Sequence, residues 1–383
     1  MIRFCACCAF GALIASGGPA LGDLAVTAND AHTTNVDGVA GPAKNPPPDT
    51  VSIIDVGQYP PKVLATVNAP TSVVGAPTSI WIAPDESFVL VTAATKIEPQ
   101  NPDRIVPDDR VSVIDLKTSP PRVVQQVNSG EGANELSVSP DGTLALVANR
   151  NEGSLSVFTV KNKRLEPAGK LDLGNPKGMP SSVAFLPDGK TALLTRYGDN
   201  LTNVLHIDGT KVTVDERPLT TGVSPYTLDI NRDGTLAAVS NMGRGNGDVD
   251  TVSLIDLTQK PFRTVETVSV GRSPEGLKFS PDGKFLAVGN VEGSTKASNS
   301  PFYRDHGTLV VFAVEGQSLR KLAEAPIGRW SQGIAFSKDG RTILVGSMID
   351  HALDVFRWED GKLTEGAKLD VGSGPAAIRT AWP

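Results

Sequence analysis

One short turn recurs along this chain, and its spacing restricts the folds the chain can adopt. Asp-centred turns stand at Pro84-Asp85-Glu86, Pro140-Asp141-Gly142, Pro187-Asp188-Gly189, Arg232-Asp233-Gly234, Pro281-Asp282-Gly283 and Lys338-Asp339-Gly340, 45 to 57 residues apart. A Gly-rich stretch and an apolar run such as "SQGIAFS" (331–337) precede each turn, and a second run such as "TILVGSM" (342–348) follows it. A third run, as in "TVSLIDL" (251–257), and a fourth, as in "RTVETVSV" (263–270), complete the unit. Short runs rich in Val, Ile, Leu and Thr between Gly, Pro, Asp and Asn are strands joined by turns. The Asp-Gly pairs are expected to supply the positive-φ positions of tight hairpins.

Four antiparallel strands in a unit of about 50 residues describe one blade of a propeller. Six complete units are visible, and the two ends of the chain supply a seventh. "GSGPAAIRTAWP" (372–383) matches a first strand, "LAVTAN" (24–29) a second, "TVSIIDV" (50–56) a third and "KVLATV" (62–67) a fourth. The predicted fold is all-β: a seven-bladed β-propeller of four-stranded antiparallel blades, closed by N- and C-terminal strands in one shared blade. An open solenoid would need capping repeats at its ends, and the repeat pattern has none.

Composition agrees with this. The 383 residues include 38 Gly and 29 Pro, and the formal net charge is −6 without a basic block. Nucleic acid and anionic lipid are therefore not expected partners. Residues 1–22, "MIRFCACCAFGALIASGGPALG", carry one Arg, a short apolar stretch and then small residues. This is the pattern of a cleaved secretory leader, with the cut expected before Asp23 and residues 23–383 forming a single propeller domain in the periplasm or outside the cell. The apolar part is too short to span a bilayer. Cys5, Cys7 and Cys8 all lie in it, so the processed chain is expected to lack disulfides and thiolate ligands.

The repeat "VGRSPEGLKFSPDGKFLAVGN…DTVSLIDL" (270–290 and 250–257) resembles the YVTN-type seven-bladed propellers, close to the lactonase-like propellers. The resemblance covers nearly the whole chain after residue 22. It implies the WD40-like architecture of radial blades, and it opens lactone hydrolysis or muconate-cyclase-like chemistry as activities. Lactonase-type members commonly carry a His just after the Pro that opens strand one. Here those positions read "PTSI", "PSSV", "PYTL", "PEGL" and "PAAI".

The chain spends its insertions on the loops between second and third strands: 29–49, 95–109, 241–250 and 290–307. Long loops on one rim of a rigid scaffold mark a functional face. At the channel mouth beneath them the repeat register places Glu131, Asn134, Glu135, Tyr226, Glu275, Arg329, Trp330 and Gln332, with Arg150, Arg196 and Tyr197 on short loops beside them. The acid–base candidates are Glu131, Glu135, Glu275 and Tyr226; the ligand-binding candidates are Arg150, Arg196, Tyr197, Asn134, Arg329, Trp330 and Gln332. His32, His306 and His351, each with a nearby Asp, form a candidate set for a divalent metal; no other cofactor is predicted. The leading expectation is a monomeric, exported binding propeller that holds a small polar or anionic molecule, or a periplasmic protein. The alternatives are a lactonase-like hydrolase and an accessory subunit of a periplasmic dehydrogenase. That subunit would depend on a partner's redox centre, since no Cys-x-x-Cys-His motif is present.

Overall fold

A computed structural model describes residues 23–381; the expected leader and its three cysteines lie outside the described residues. Seven antiparallel sheets surround a central channel. The first blade runs from the inside outward as Gly374–Thr380, Leu24–Asp30, Thr50–Asp55 and Lys62–Asn68. Ring closure is thus a ladder between the first and last described strands, with Ala25 opposite Thr380 and Ala28 opposite Ala377. The innermost strands of blades two to seven are Ile80–Ile82, Ala133–Val138, Pro180–Phe185, Pro225–Ile230, Pro274–Phe279 and Ser331–Phe336. In the seventh blade the outer strand is split into Lys362–Glu365 and Leu369–Asp370, both paired with Ala352–Glu359. Among the described residues the one helical element is a 3-10 turn at Pro176–Gly178, and no helix is long and apolar enough to cross a membrane.

The core is distributed rather than central. Seven apolar clusters occupy the seven junctions between neighbouring blades. Second strands such as Leu144–Asn149 and Leu236–Asn241 are buried along their full length because both faces are covered by adjacent blades. An isolated blade would expose both apolar faces, so the ring gains its stability from blade-to-blade burial.

Two local devices explain the repeats. In "SPDG" turns the serine and the aspartate work together. Asp141 Oδ1 accepts from the Ser139 hydroxyl and from the Thr143 backbone, while Ser139 Oγ accepts from the Leu144 backbone. Ser280 with Asp282 and Ser337 with Asp339 repeat the pattern. The expected pair of positive-φ positions is corrected here: in these turns the glycine alone is left-handed, as in Gly142 (φ 72°) and Gly283 (φ 69°), while the aspartate is not. The turn is closed by a Ser139 carbonyl to Gly142 N–H bond, which needs one left-handed residue at its end rather than two. The second device is the Asn that ends strand two. Asn149 Nδ2 donates to Ser154 and Ser156, and Asn241 Nδ2 to Thr251 and Ser253, tying second strands to third strands at the loop-rich face.

Candidate functional site

The loop insertions are partly structured. Within 29–49 a hairpin pairs Thr33–Val36 with Val39–Pro42, and within 95–109 a second pairs Thr95–Glu98 with Asn101–Pro107. The first turns at Asp37-Gly38, where both residues have positive φ (44° and 86°). An Asp-Gly pair between two valines is a strong hairpin signal. That signal stands in the sequence as "VDGV" (36–39), inside a stretch read as a plain loop.

This hairpin crosses the mouth. At its tip Asp37 Oδ1 accepts hydrogen bonds from the Ser298 backbone N–H (2.9 Å) and hydroxyl (3.1 Å), and Asn35 Nδ2 donates to the Thr295 carbonyl (3.3 Å). Both partners belong to the 290–307 loop of the sixth blade. The hairpin's returning strand, Val39–Pro42, packs alongside Asn101–Pro107 of the second blade. At the base, His32 is buried. Its Nδ1 lies 3.0 Å from each oxygen of Asp49 and 3.2 Å from Asp30 Oδ1, and its Nε2 lies 3.2 Å from Thr95 Oγ1. Burial opposes a charge on His32. The Asp49 hydrogen bond and the Asp30 and Asp49 charges outweigh it, so its pKa lies above the usual histidine value.

Beneath the hairpin lies a pocket of about 290 Å3. Thr33, Ala40 and Gly41 roof it, Val73, Val74 and Ile105 form an apolar wall, and Arg150, Tyr226, Glu275 and Trp330 complete it. Glu275 is the second residue of its innermost strand. Gln332 Nε2 donates to Glu275 Oε2, and the side chain of Trp330 adds a second hydrogen bond. Burial nevertheless dominates and pushes the Glu275 carboxyl up to about 8, because charging a carboxylate away from water is costly. Trp330 is held in a left-handed conformation (φ 54°), with its backbone N–H donated to Ser294 Oγ (2.9 Å). Arg150 donates to Ser181 Oγ (2.6 Å), and its guanidinium lies 4.8 Å over the Tyr197 ring and 5.9 Å from the Tyr226 ring. The two tyrosine rings meet edge-on at 5.7 Å. The Tyr226 phenol is pushed upward by burial and by the neighbouring Glu275.

A second polar tier lies further along the innermost strands. Asp229 and Lys278 pair at 2.8 Å, and Glu135 Oε1 is 3.9 Å from Arg379 Nη2. Burial raises Glu135 to about 8 despite Arg379, and burial lowers the Lys278 ammonium.

The sequence candidates therefore divide by position. Arg150, Tyr226, Glu275 and Trp330 converge on the pocket; Gln332 and Tyr197 contact members of that group without lining it. Asn134 sits against Gly75, a pocket residue, and donates to the Ser181 carbonyl. Glu135 belongs to the deeper tier. Arg196 is engaged by Asp199 and by the Leu173 carbonyl, and Arg329 by Asp350; neither lines the pocket. Glu131 is exposed. The three histidines do not assemble: His306 pairs with Asp305 at an exposed position, and His351 is exposed in a turn. Among the described residues, the group whose ligand atoms lie within 4.8 Å of one another is Asp30, His32 and Asp49. Their carboxylate oxygens accept backbone N–H bonds from Thr33, Val73, Ala31 and Thr71, so the cluster already acts as a clamp at the hairpin base.

No protein-family model matches the chain, and no curated protein matches it in sequence. Solved structures do match. A candidate 6-phosphogluconolactonase from Bacteroides uniformis is 16% identical with a TM-score of 0.70, covering 94% of this chain and 100% of that one. A functionally unknown protein from Desulfotomaculum acetoxidans is 15% identical with a TM-score of 0.69, covering 94% and 99%. The periplasmic gluconolactonase of Pseudomonas aeruginosa is 19% identical with a TM-score of 0.65, covering 93% and 99%. At these identities the likeness establishes the shared propeller fold.

Proposed function

We propose that this chain opens the ring of a small polar lactone in the pocket beneath the 33–42 hairpin. One observation carries the reading: Glu275, a buried carboxyl that favours its protonated form, lines the same small pocket as Arg150, whose guanidinium has no carboxylate partner among the described residues. Those groups suit acyl transfer to water. Water adds to the carbonyl carbon, and Arg150 stabilises the charge that develops on the carbonyl oxygen. The bond from that carbon to the ring oxygen then breaks. Glu275 gives its proton to the departing oxygen and recovers one from the added water, so protons balance over the cycle. Two of the structural neighbours bear lactonase names, which supports the same direction.

A second reading, capture of the ligand without turnover, is favoured by the lack of any other carboxylate or imidazole among the residues lining the pocket. Proton release on lactone addition, corrected for the uncatalysed reaction, separates the two. Turnover that falls by about 10² or more in Glu275→Gln supports hydrolysis. Ligand-induced thermal stabilisation with no turnover supports capture.

A further inference from the structure

We infer that the pocket takes an unphosphorylated sugar lactone or its sugar acid, and discriminates against the phosphate ester of the same molecule. This rests on the lactone reading of the site. A phosphate monoester carries close to two negative charges at neutral pH, and sites that hold one gather several cations, a helix N-terminus or a nest of free backbone N–H groups.

This pocket offers none of these. Among its lining residues Arg150 is the sole cation, and part of its donor capacity goes to Ser181. Three rim cations are engaged elsewhere: Arg196 by Asp199, Arg329 by Asp350 and Lys296 by the Gly245 carbonyl. The loop that edges the pocket has spent its amides as well. Val73 N–H goes to Asp30 Oδ2 (2.8 Å), Val74 N–H to Ser72 Oγ (3.0 Å), and the Gly75 N–H is directed at Tyr226. No helix begins there. The wall that would meet a terminal substituent is Val73, Val74 and Ile105, against which a dianion loses its hydration without compensation. Glu275 adds repulsion whenever it ionises. Hydroxyl groups, by contrast, find Glu275, Tyr226, Thr33 and Arg150, and one carboxylate finds Arg150. A volume of about 290 Å3 suits a single monosaccharide unit under the roof.

The test is calorimetric titration of the full-length chain with gluconate and, separately, with its terminal phosphate ester, followed by the two corresponding lactones. Gluconate is expected to bind at least about tenfold more tightly than the ester. Ile105→Lys, which places a second cation on the half-exposed wall, is expected to strengthen binding of the ester more than that of gluconate, shifting the ratio of their affinities by about tenfold toward the ester. Equal or tighter binding of the ester by the unaltered chain overturns the inference, as does failure of both ligands to bind. An unchanged preference in I105K also overturns it. Binding of gluconolactone without ring opening removes the hydrolase reading and leaves this inference standing.

Discussion

Asp37 accepts two hydrogen bonds from Ser298, a residue 261 positions further along the chain. That contact joins the hairpin of the first blade to the loop of the sixth across the mouth of the channel. Its donors hold the exposed Asp37 carboxyl below the usual carboxylate range. The hairpin is thus a span anchored at both ends, by His32 at its base and Ser298 at its tip. Asp37→Ala and Ser298→Ala are expected to speed amide hydrogen exchange over 33–42 and to weaken ligand binding several-fold. The melting temperature should scarcely change, because a fully exposed contact adds little to global stability. Unaltered exchange in both variants would remove the latch.

Glu275 should impose an alkaline limit on activity. Its carboxyl is held up at about 8 by burial, so the proton-donating form prevails below that pH and is lost above it. We expect kcat/KM, corrected for spontaneous hydrolysis, to stay flat up to about 8 and then fall. Glu275→Gln keeps an acceptor for Gln332, so folding should survive while that limb disappears. A rise in rate through the same pH range would reverse the acid–base assignment.

Tyr197 acts on the ligand through Arg150. Stacking of a guanidinium on a ring contributes roughly 0.5–1 kcal/mol at partly exposed sites. Tyr197→Ala should therefore lower kcat/KM about fivefold, with the loss carried in kcat because Arg150 acts on the developing charge, whereas Tyr197→Phe should behave as the parent. A matching loss of kcat in both variants would place the phenol hydroxyl, not the ring, in the chemistry.

The repeat made the architecture legible because each blade restates the same turn chemistry. The join of Leu24–Asp30 to Gly374–Thr380 follows from counting what each end lacks. The pocket was only half legible. Arg150, Tyr226, Glu275 and Trp330 could be found because register within the blade fixes which residues reach the mouth. The roof could not be found that way, since it depends on where one insertion lands relative to another. The same limit applies to the histidines: His32, His306 and His351 share a loop class, but lateral direction is set by contacts unique to each insertion. Arg196 and Arg329 looked like ligand contacts by position; their acidic neighbours Asp199 and Asp350 are close in sequence or in the next turn, and charge pairing claims them.

Stability should depend on pH through Glu135. Its pKa in the fold, about 8, lies above the ordinary 4.5. The protonated carboxyl therefore favours the folded state: this contribution is fully present below about 4.5 and is lost as pH rises through 8. A tenfold change in proton affinity between the folded and unfolded chain is worth about 1.4 kcal/mol, so the loss is large enough to read by calorimetry. Glu135→Gln should flatten the decline in melting temperature between pH 5 and pH 9, taken as about those limits. An equally steep decline in the variant would show that other groups are responsible.

Removing residues 374–380 should abolish cooperative unfolding. The deletion strips the innermost strand from the first blade, exposes the edge of Leu24–Asp30, and takes Ala377 and Ile378 out of two separate junction clusters. Supplying that strand as a synthetic peptide should restore a sharp melting transition if the ladder alone is missing. A truncated chain that melts cooperatively without it would show that closure contributes little.

The pairing of Ala25 with Thr380 has one more consequence. The first and last described strands are neighbours in a single sheet, so a short linker from Thr380 to Leu24 would cross no other element. The order in which the blades are written is then a matter of where translation starts, not of geometry. A circularly permuted gene opened at the Asn162-Lys163 turn, with Thr380 linked to Leu24, should yield the same ring with the same pocket. In such a protein the sheet now stitched from two distant segments would be continuous, and another blade would carry the seam.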